Sequence, residues 1–208
     1  MIIVHHLDDS RSQRILWLLE ELGLPYEVKQ HKRDPKTLVA PPELKQIHPL
    51  GKSPVIEDDG HVVAESGAII DYILRRYGHG RLQPAPSSAS YHEFVHWIHY
   101  AEGSAMPALI IRIMVARVGD AAAAALPRLD AHIALQLGYI DRKLEGRQYI
   151  LGDELTAADI QLSFVGEFAA ARFGISDYAN IEAWMKRFQA RRAYKAALTR
   201  GGAYSFAS

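Results

Sequence analysis

The chain has 208 residues, of which 49% are hydrophobic and 23% are charged, as is typical of a folded globular protein. Its 24 basic and 24 acidic side chains cancel, so binding to nucleic acid by phosphate neutralisation is not expected. The absence of cysteine excludes disulfides, cysteine nucleophiles and thiolate metal sites. No apolar run is long enough to span a membrane and no signal peptide is visible, so the sequence predicts a soluble, cytoplasmic protein.

The first 80 residues alternate between strand and helix patterns. In chain order, the predicted elements are a strand over 2–4, a helix over 10–22, a strand over 25–28, strands over 54–57 and 61–63, and a helix over 65–77. Gly23 is expected to end the first helix, since glycine tolerates the left-handed conformation. The first three elements predict a βαβ unit with parallel strands, and the Asp-Gly turn at 59–60 predicts a hairpin.

The rest of the chain shows only helical patterns. Glycine, proline and serine are dense between residues 78 and 88, which is typical of a linker. Helical patterns then run over 89–118, 121–145, 156–173 and 181–198. We therefore predict an α/β domain over residues 1–80, a linker over 81–88 and an all-helical domain over 89–208.

Two helix starts carry capping patterns. Ser10 and Gln13 form an S-x-x-Q box, with Asp9 as an alternative cap, and Thr156 and Asp159 form a T-x-x-D box. A hydroxyl beside the free amides of a helix N-terminus is also a place where a thiolate would be stabilised. The second box is interpreted as structural.

Four segments together resemble the cytosolic glutathione transferases. Residues 10–27, which include the first predicted helix, read SRSQRILWLLEELGLPYE, and residues 49–56 read PLGKSPVI. Residues 65–70 read ESGAII, and residues 151–160 read LGDELTAADI. These segments follow the family's order and spacing over nearly the whole chain. The resemblance is to bacterial members with a serine-type active site, similar to the theta and delta classes. It implies a thioredoxin-like N-terminal domain followed by an all-helical domain.

The resemblance implies that Ser10 is catalytic, because the equivalent serine of serine-type transferases donates a hydrogen bond to the glutathione sulfur. Ser10 lies four residues before Arg14, as that serine does in the family helix. Ser12 or a main-chain amide remains an alternative donor.

The resemblance also implies a set of glutathione-binding residues. Pro54 is expected to follow a cis peptide bond, so that the main chain of Ser53 pairs with the cysteinyl part of glutathione. Glu65 is expected to pair with the γ-glutamyl ammonium, and Ser66 with the neighbouring carboxylate at a helix N-terminus. Lys52 is a candidate for the glycyl carboxylate.

The implied activity is thiolate attack on a small apolar electrophile. Glutathione is the co-substrate, no metal is required, and the protein is expected to be a homodimer that binds neither nucleic acid nor membrane. Candidate pocket residues are Tyr100, Met106, Leu109 and Arg112, for which a place in the bundle core or on the surface is the alternative. Two other functions stay open: a glutathione-dependent peroxidase or disulfide reductase on the same site, and a non-catalytic glutathione-binding adaptor.

Residues 92–96 match H-E-x-x-H, the zinc-protease pattern. With this composition, about 0.03 such matches per chain arise by chance. The motif lies in the first helix of the helical domain, where the resembled family has no metal. We therefore do not predict a metal site at His92 and His96.

Overall fold

The structure is a computed structural model that describes residues 1–37 and 39–207. Residue 208, the end of the predicted helical domain, lies outside the described residues. The N-terminal elements are β1 (Ile2–Leu7), α1 (Ser12–Leu22), β2 (Tyr26–His31), α2 (Leu44–Ile47), β3 (Val55–Asp58), β4 (His61–Ala64) and α3 (Ser66–Tyr77). The four-residue α2 is not predicted by the sequence, because it is too short to show a helical period.

The four strands form one mixed sheet in the order β2-β1-β3-β4. β1 pairs in parallel with β2, with Val4 opposite Val28, which confirms the predicted βαβ unit. β3 pairs antiparallel with both β1 and β4, so the predicted hairpin is also confirmed. β1 is a central strand and extends three residues beyond its predicted end. This extension carries His5 and His6, which lie in the sheet and are buried.

α1 ends as predicted at Gly23, which adopts the left-handed conformation with φ 64°. The Leu24 N–H then donates to the Leu19 carbonyl at 3.0 Å, closing the helix end. Inside the same unit of the fold, the ring of Trp17 packs edge-on against Tyr194 at a centroid distance of 5.4 Å. The start of the fold is thereby packed against residues near the end of the chain.

The remaining elements are helical, as predicted. They are α4 (Tyr91–Tyr100), a π-helical turn (Ala101–Ala105), α5 (Met106–Ala116), a 3₁₀ segment (Gly119–Ala125), α6 (Leu126–Leu144), α7 (Ala157–Phe173), α8 (Ala179–Gln189) and α9 (Arg192–Gly201). The predicted helix over 89–118 is interrupted by the π turn just before Pro107, a residue that lacks an amide hydrogen. The alanine run over 121–125 is 3₁₀ rather than α-helical.

The single helix predicted over 181–198 is wrong. The chain leaves helical geometry at Arg191, whose ψ of 140° is extended, and this separates α8 from α9. The reason is tertiary: the Arg191 guanidinium donates to both carboxylate oxygens of Glu21, at 2.6 and 2.9 Å. A bidentate ion pair of this kind fixes the direction of the chain where local propensity would continue the helix.

The second predicted capping box is confirmed at the start of α7. The carboxylate of Asp159 is fully buried and accepts hydrogen bonds from the main-chain N–H of Thr156 and Ile150, at 3.0 and 2.7 Å. It also accepts from the indole of Trp184 at 3.0 Å. Asp159 therefore anchors a loop and a neighbouring helix as well as capping α7.

The chain forms two compact units: residues 1–84 with 188–208, and residues 85–187. The first unit holds the sheet with α1, α3 and α9, and the second holds the helices from α4 to α7. The domain limits proposed from the sequence stay a prediction, and the structure adds that the last residues of the chain pack with the first unit. Within the described residues, no helix has the length and hydrophobicity to cross a membrane.

Candidate active site

Ser10 lies in the turn between β1 and α1 and is 5% exposed. The predicted capping box with Gln13 is wrong. The Ser10 hydroxyl accepts from the Ser12 main-chain N–H at 3.2 Å, while the side-chain amide of Gln13 is buried without a hydrogen-bond partner among the described residues. Because α1 starts at Ser12, two residues later than predicted, Ser10 stands just outside the first helical turn.

A row of hydrogen bonds connects Ser10 to a buried histidine. The hydroxyl oxygens of Ser10 and Ser12 are 2.7 Å apart, and the Ser12 hydroxyl lies 2.9 Å from Nδ1 of His6. Burial lowers the pKa of His6 to about 4, against opposing contributions from Asp8 and the Gly201 carbonyl. The imidazole at the end of this row is therefore neutral at physiological pH.

The turn before Ser10 is held from two sides. The Arg33 main-chain N–H donates to the Asp8 carboxylate at 3.0 Å, and its guanidinium donates to the Asp8 and Asp9 carbonyls. On the other side, Ser205 donates to the Asp9 carboxylate from its main-chain N–H at 2.6 Å and from its hydroxyl at 2.7 Å. Asp9 is thus occupied by the C-terminal segment and does not cap α1. Its φ of 49° is one that aspartate tolerates better than most residues.

The loop before β3 presents an unpaired stretch of main chain. The Ser53–Pro54 peptide bond is cis, as predicted. Neither the N–H nor the C=O of Ser53 has a hydrogen-bond partner among the described residues, and its hydroxyl donates to the His5 carbonyl at 2.9 Å. Lys52 precedes it with an exposed side chain. The loop can therefore offer one donor and one acceptor to an extended peptide ligand, next to a positive charge.

A third group lies at the start of α3. Glu65 is exposed and has a φ of 70° with a ψ of 121°, a strained conformation for a residue with a side chain. Ser66 follows and is buried. The guanidinium of Arg14, itself 1% exposed, donates to the Ser66 hydroxyl oxygen at 3.2 Å. Within the described residues, nothing accepts the Ser66 hydroxyl proton, so it remains available to an anion.

These groups belong to neighbouring parts of the first unit. The bond between Arg14 and Ser66 joins α1 to α3, and the bond between Ser53 and His5 joins the cis-proline loop to β1. The combination offers hydroxyl and amide donors at two helix starts, a free main-chain edge, and charges of both signs. A small peptide with a thiol, an ammonium and carboxylates matches such a set of groups.

The candidate pocket residues for the electrophile lie in the second unit. Met106 and Leu109 are buried. Tyr100 donates to the Gln136 side chain at 2.6 Å, and burial raises the pKa of its phenol. Arg112 donates to the Asp130 carboxylate at 2.6 Å. Their role in binding an electrophile stays a prediction.

The residues of the H-E-x-x-H motif take part in ordinary contacts. Glu93 forms an ion pair with Lys143, and His96 lies 3.2 Å from the Tyr139 hydroxyl. Among the described residues, no group of three or more histidine, cysteine, aspartate or glutamate side chains is arranged to hold a metal ion.

Comparison with known proteins identifies the family. Residues 1–75 match the model of the glutathione S-transferase N-terminal domain, and residues 104–192 match that of the C-terminal domain. The chain is 37% identical to glutathione S-transferase 3 of Schizosaccharomyces pombe, over 89% of this chain and 82% of that protein. The chain belongs to the glutathione S-transferase family. It is therefore an enzyme, and its class within the family stays a prediction.

Solved structures agree with this assignment. A glutathione S-transferase of Actinobacillus pleuropneumoniae is 35% identical and superposes with a TM-score of 0.91, covering 99% of this chain and 95% of that one. A family member from Pseudomonas fluorescens, solved with two glutathione bound, is 27% identical with a TM-score of 0.77, covering 95% and 92%. The predicted thioredoxin-like and all-helical architecture of the transferase is thereby confirmed.

Two residues of the site are missed by sequence reasoning. His6 appears in the sequence only as the second of two consecutive histidines at the end of a strand, where alternation places them on opposite faces of the sheet. In the sequence, Arg14 is used only for its four-residue distance from Ser10. The structure shows that it also donates a hydrogen bond to Ser66. Ser12 and Arg14 are polar residues at inward-facing positions of α1. That pattern could have indicated their buried contacts with His6 and Ser66.

The lowered pKa of His6 predicts a pH-dependent contribution to stability. Because the folded transferase takes up this proton only near pH 4 while an unfolded histidine titrates near 6.5, His6 costs increasing stability as pH falls between these values. The cost should reach about 2 to 3 kcal/mol at pH 4.5. The free energy of unfolding of the parent and of His6→Asn is measured by denaturant unfolding at pH 7 and at pH 4.5. Between these pH values, the stability of the variant relative to the parent should increase by this amount. The same relative stability at both pH values would contradict the prediction.

Proposed function

We propose that this transferase binds glutathione at the starts of α1, β3 and α3, lowers the pKa of its thiol and directs the thiolate at small apolar electrophiles. The observation that carries the proposal is the position of Ser10, a hydroxyl donor at the start of a helix, within the same unit as the anion-binding start of α3. The Pseudomonas fluorescens relative with two glutathione bound supports glutathione as the ligand.

The peptide is held by groups away from the sulfur. The exposed carboxylate of Glu65 pairs with the γ-glutamyl ammonium. The free Ser66 hydroxyl proton, the amides at the start of α3 and the positive charge of Arg14 hold the adjacent carboxylate. The main chain of Ser53 pairs with the cysteinyl residue, and Lys52 attracts the glycyl carboxylate. Binding energy is thus supplied without using Ser10.

Ser10 acts on the thiol. A free thiol has a pKa of about 8.5, so only a few per cent is ionised at neutral pH. A hydrogen bond to a charged acceptor contributes about 1.5–3 kcal/mol, which corresponds to a pKa decrease of about one to two units. The Ser10 hydroxyl and the positive end of α1 together supply an effect of this size. The sulfur electron pair then forms a carbon–sulfur bond, and either a leaving group departs or a proton is added.

The electrophile and the assembly are further parts of the proposal. Tyr100, Met106, Leu109 and Arg112 are proposed to shape the electrophile pocket, the protein is proposed to act in the cytoplasm, and a homodimer is proposed as its working form. In the second unit, Met114 and Leu135 are each more than 60% exposed, as apolar side chains at an interface would be in an isolated subunit.

Replacing Ser10 by alanine tests the thiolate donor. The pKa of bound glutathione should rise by about one to two units, because the charged form loses its hydrogen bond. kcat/KM at pH 7 should fall, while the affinity for glutathione should change little. The measurement is an ultraviolet difference titration of thiolate absorbance in the glutathione complex, with thermal unfolding recorded separately. If Ser10→Ala titrates like the parent, the donor is Ser12 or a main-chain amide, and Ser12→Ala distinguishes these.

Replacing Glu65 by alanine tests the binding site. The loss of a charge-assisted pair with the ammonium should raise the Kd for glutathione about 10-fold. Calorimetric titration measures this effect, and Glu27→Ala, which removes another exposed carboxylate, from β2, serves as the control. An unchanged Kd in Glu65→Ala would remove Glu65 from the site.

Sedimentation tests the homodimer. Two-fold symmetric dimers are the most common oligomers of soluble proteins. At micromolar concentration, the protein should sediment with twice the 23.2 kDa mass of the chain. A single species of one chain's mass would contradict this proposal.

A further inference from the structure

The turn that leads to Ser10 has a main-chain conformation that depends on neighbouring groups. Asp9, the residue before Ser10, has a φ of 49°, in the left-handed region that residues with a side chain seldom adopt. No main-chain N–H of the described residues donates to the carbonyl of Asp8 or Asp9. A backbone in this region keeps its shape only where the surrounding structure holds it.

Arg33 supplies the donors from the neighbouring strand. β2 runs parallel to β1 with His31 opposite Leu7, so the segments that follow the two strands lie side by side. The Arg33 guanidinium donates from Nε to the Asp8 carbonyl at 3.1 Å and from Nη2 to the Asp9 carbonyl at 3.3 Å. Its main-chain N–H also donates to the Asp8 carboxylate at 3.0 Å. One residue thus holds two successive peptide groups of the turn.

We propose that Arg33 is a positioning residue for thiolate formation, which binds the carbonyls of Asp8 and Asp9 and so holds the Ser10 hydroxyl at the glutathione sulfur. The inference deepens the proposed function and rests on it, because it presupposes that Ser10 stabilises the thiolate. Arg33 acts through the main chain of the turn and is assigned no contact with the substrate.

The shape of the guanidinium suits this role. Its Nε–H and Nη2–H lie in one plane and point to the same side, so they can serve two neighbouring oxygens at once. A lysine ammonium is a single charge on a flexible stem and has no such fork. The peptide group between Asp9 and Ser10 is one of the two that Arg33 holds, so a change in these bonds is passed directly to Ser10.

The second contact of the turn is a weaker constraint. Ser205 donates to the Asp9 carboxylate at 2.6 and 2.7 Å, but these bonds are exposed, so water can replace either partner. They also hold a side chain, whereas the bonds from the Arg33 guanidinium hold the main chain and are partly buried. Arg33 is therefore the residue whose loss should move Ser10.

Charge alone would be a different role for the same side chain. Asp8 and Asp9 place two carboxylates next to the proposed thiolate, and nearby negative charges disfavour a further anion. The positive charge of Arg33 opposes this effect whatever the geometry of its hydrogen bonds. Arg33→Lys separates the two roles, because it keeps the charge and removes the fork.

Substitutions measured on the glutathione complex test the proposal. Arg33→Gln should raise the pKa of bound glutathione by about half to one unit and lower kcat at pH 6.5 by about 2- to 10-fold, with little change in the Kd for glutathione. Arg33→Lys should show most of the same pKa increase, and it carries the test if circular dichroism shows that Arg33→Gln is unfolded. A parent-like pKa in Arg33→Lys would mean that charge suffices and would overturn the proposal. So would a raised Kd with an unchanged pKa, which would indicate direct contact with the peptide.

A double-mutant cycle shows whether Arg33 acts through Ser10. In the Ser10→Ala background, Arg33→Gln should add little to the pKa of bound glutathione, because the group that it positions is already absent. Additive effects would place the action of Arg33 elsewhere and overturn the proposal. If Ser10→Ala alone leaves the pKa unchanged, the proposed function fails and this inference fails with it. If Ser10→Ala raises the pKa and Arg33→Gln does not, only the role of Arg33 fails.

Arg191→Gln is the matched control. Arg191 belongs to the same compact unit and donates to both carboxylate oxygens of Glu21, at the opposite end of α1 from Ser10. Its substitution removes a guanidinium with two hydrogen bonds without touching the turn. The pKa of bound glutathione should stay at the parent value in this variant. An equal increase in Arg191→Gln and Arg33→Gln would mean general damage to the unit and would overturn the proposal.

Discussion

The start of α1 is polar and buried, and its hydrogen bonds must therefore come from the protein. Ser12 and Arg14 are almost inaccessible to solvent, so each polar atom left unpaired would cost free energy. The surrounding elements supply the partners: β1 provides His6 and the Leu7 main chain, and α3 provides Ser66. The contacts that offset the free-energy cost of burying this helix start also fix the distances between Ser10, the cis-proline loop and the start of α3.

Under the proposed function, this arrangement explains how an enzyme of ordinary composition binds a highly charged tripeptide. The proposed binding groups are single atoms of short side chains and main chain, held by a rigid sheet and two helices. Arg14 is an example of such a group. It is buried, yet it adds positive charge at the start of α3, where the helix already presents its positive end. Ligand binding then needs little rearrangement, since the groups are already ordered.

The sequence predicts what is local or strongly patterned. Gly23 ends α1 because of its own backbone freedom, Asp159 caps α7 because of its spacing from Thr156, and the family motif indicates the cis bond before Pro54. The sequence does not predict the break at Arg191, because Ala190, Arg191 and Arg192 all favour helix and the cause is Glu21, distant in the chain. The contact of His6 with Ser12 is not predicted for the same reason. Two consecutive histidines in a strand do not reveal that one of them meets a serine across the following turn.

The hydrogen bonds between Asp9 and Ser205 link two positions that are 196 residues apart in the chain. It joins the turn that carries Ser10 to the C-terminal segment, through both oxygens of one carboxylate. Because these hydrogen bonds are exposed, water can replace either partner, so what they add is a tether between the two segments. A truncation that removes Ser205 would therefore release the turn beside Ser10 on one of the two sides that hold it.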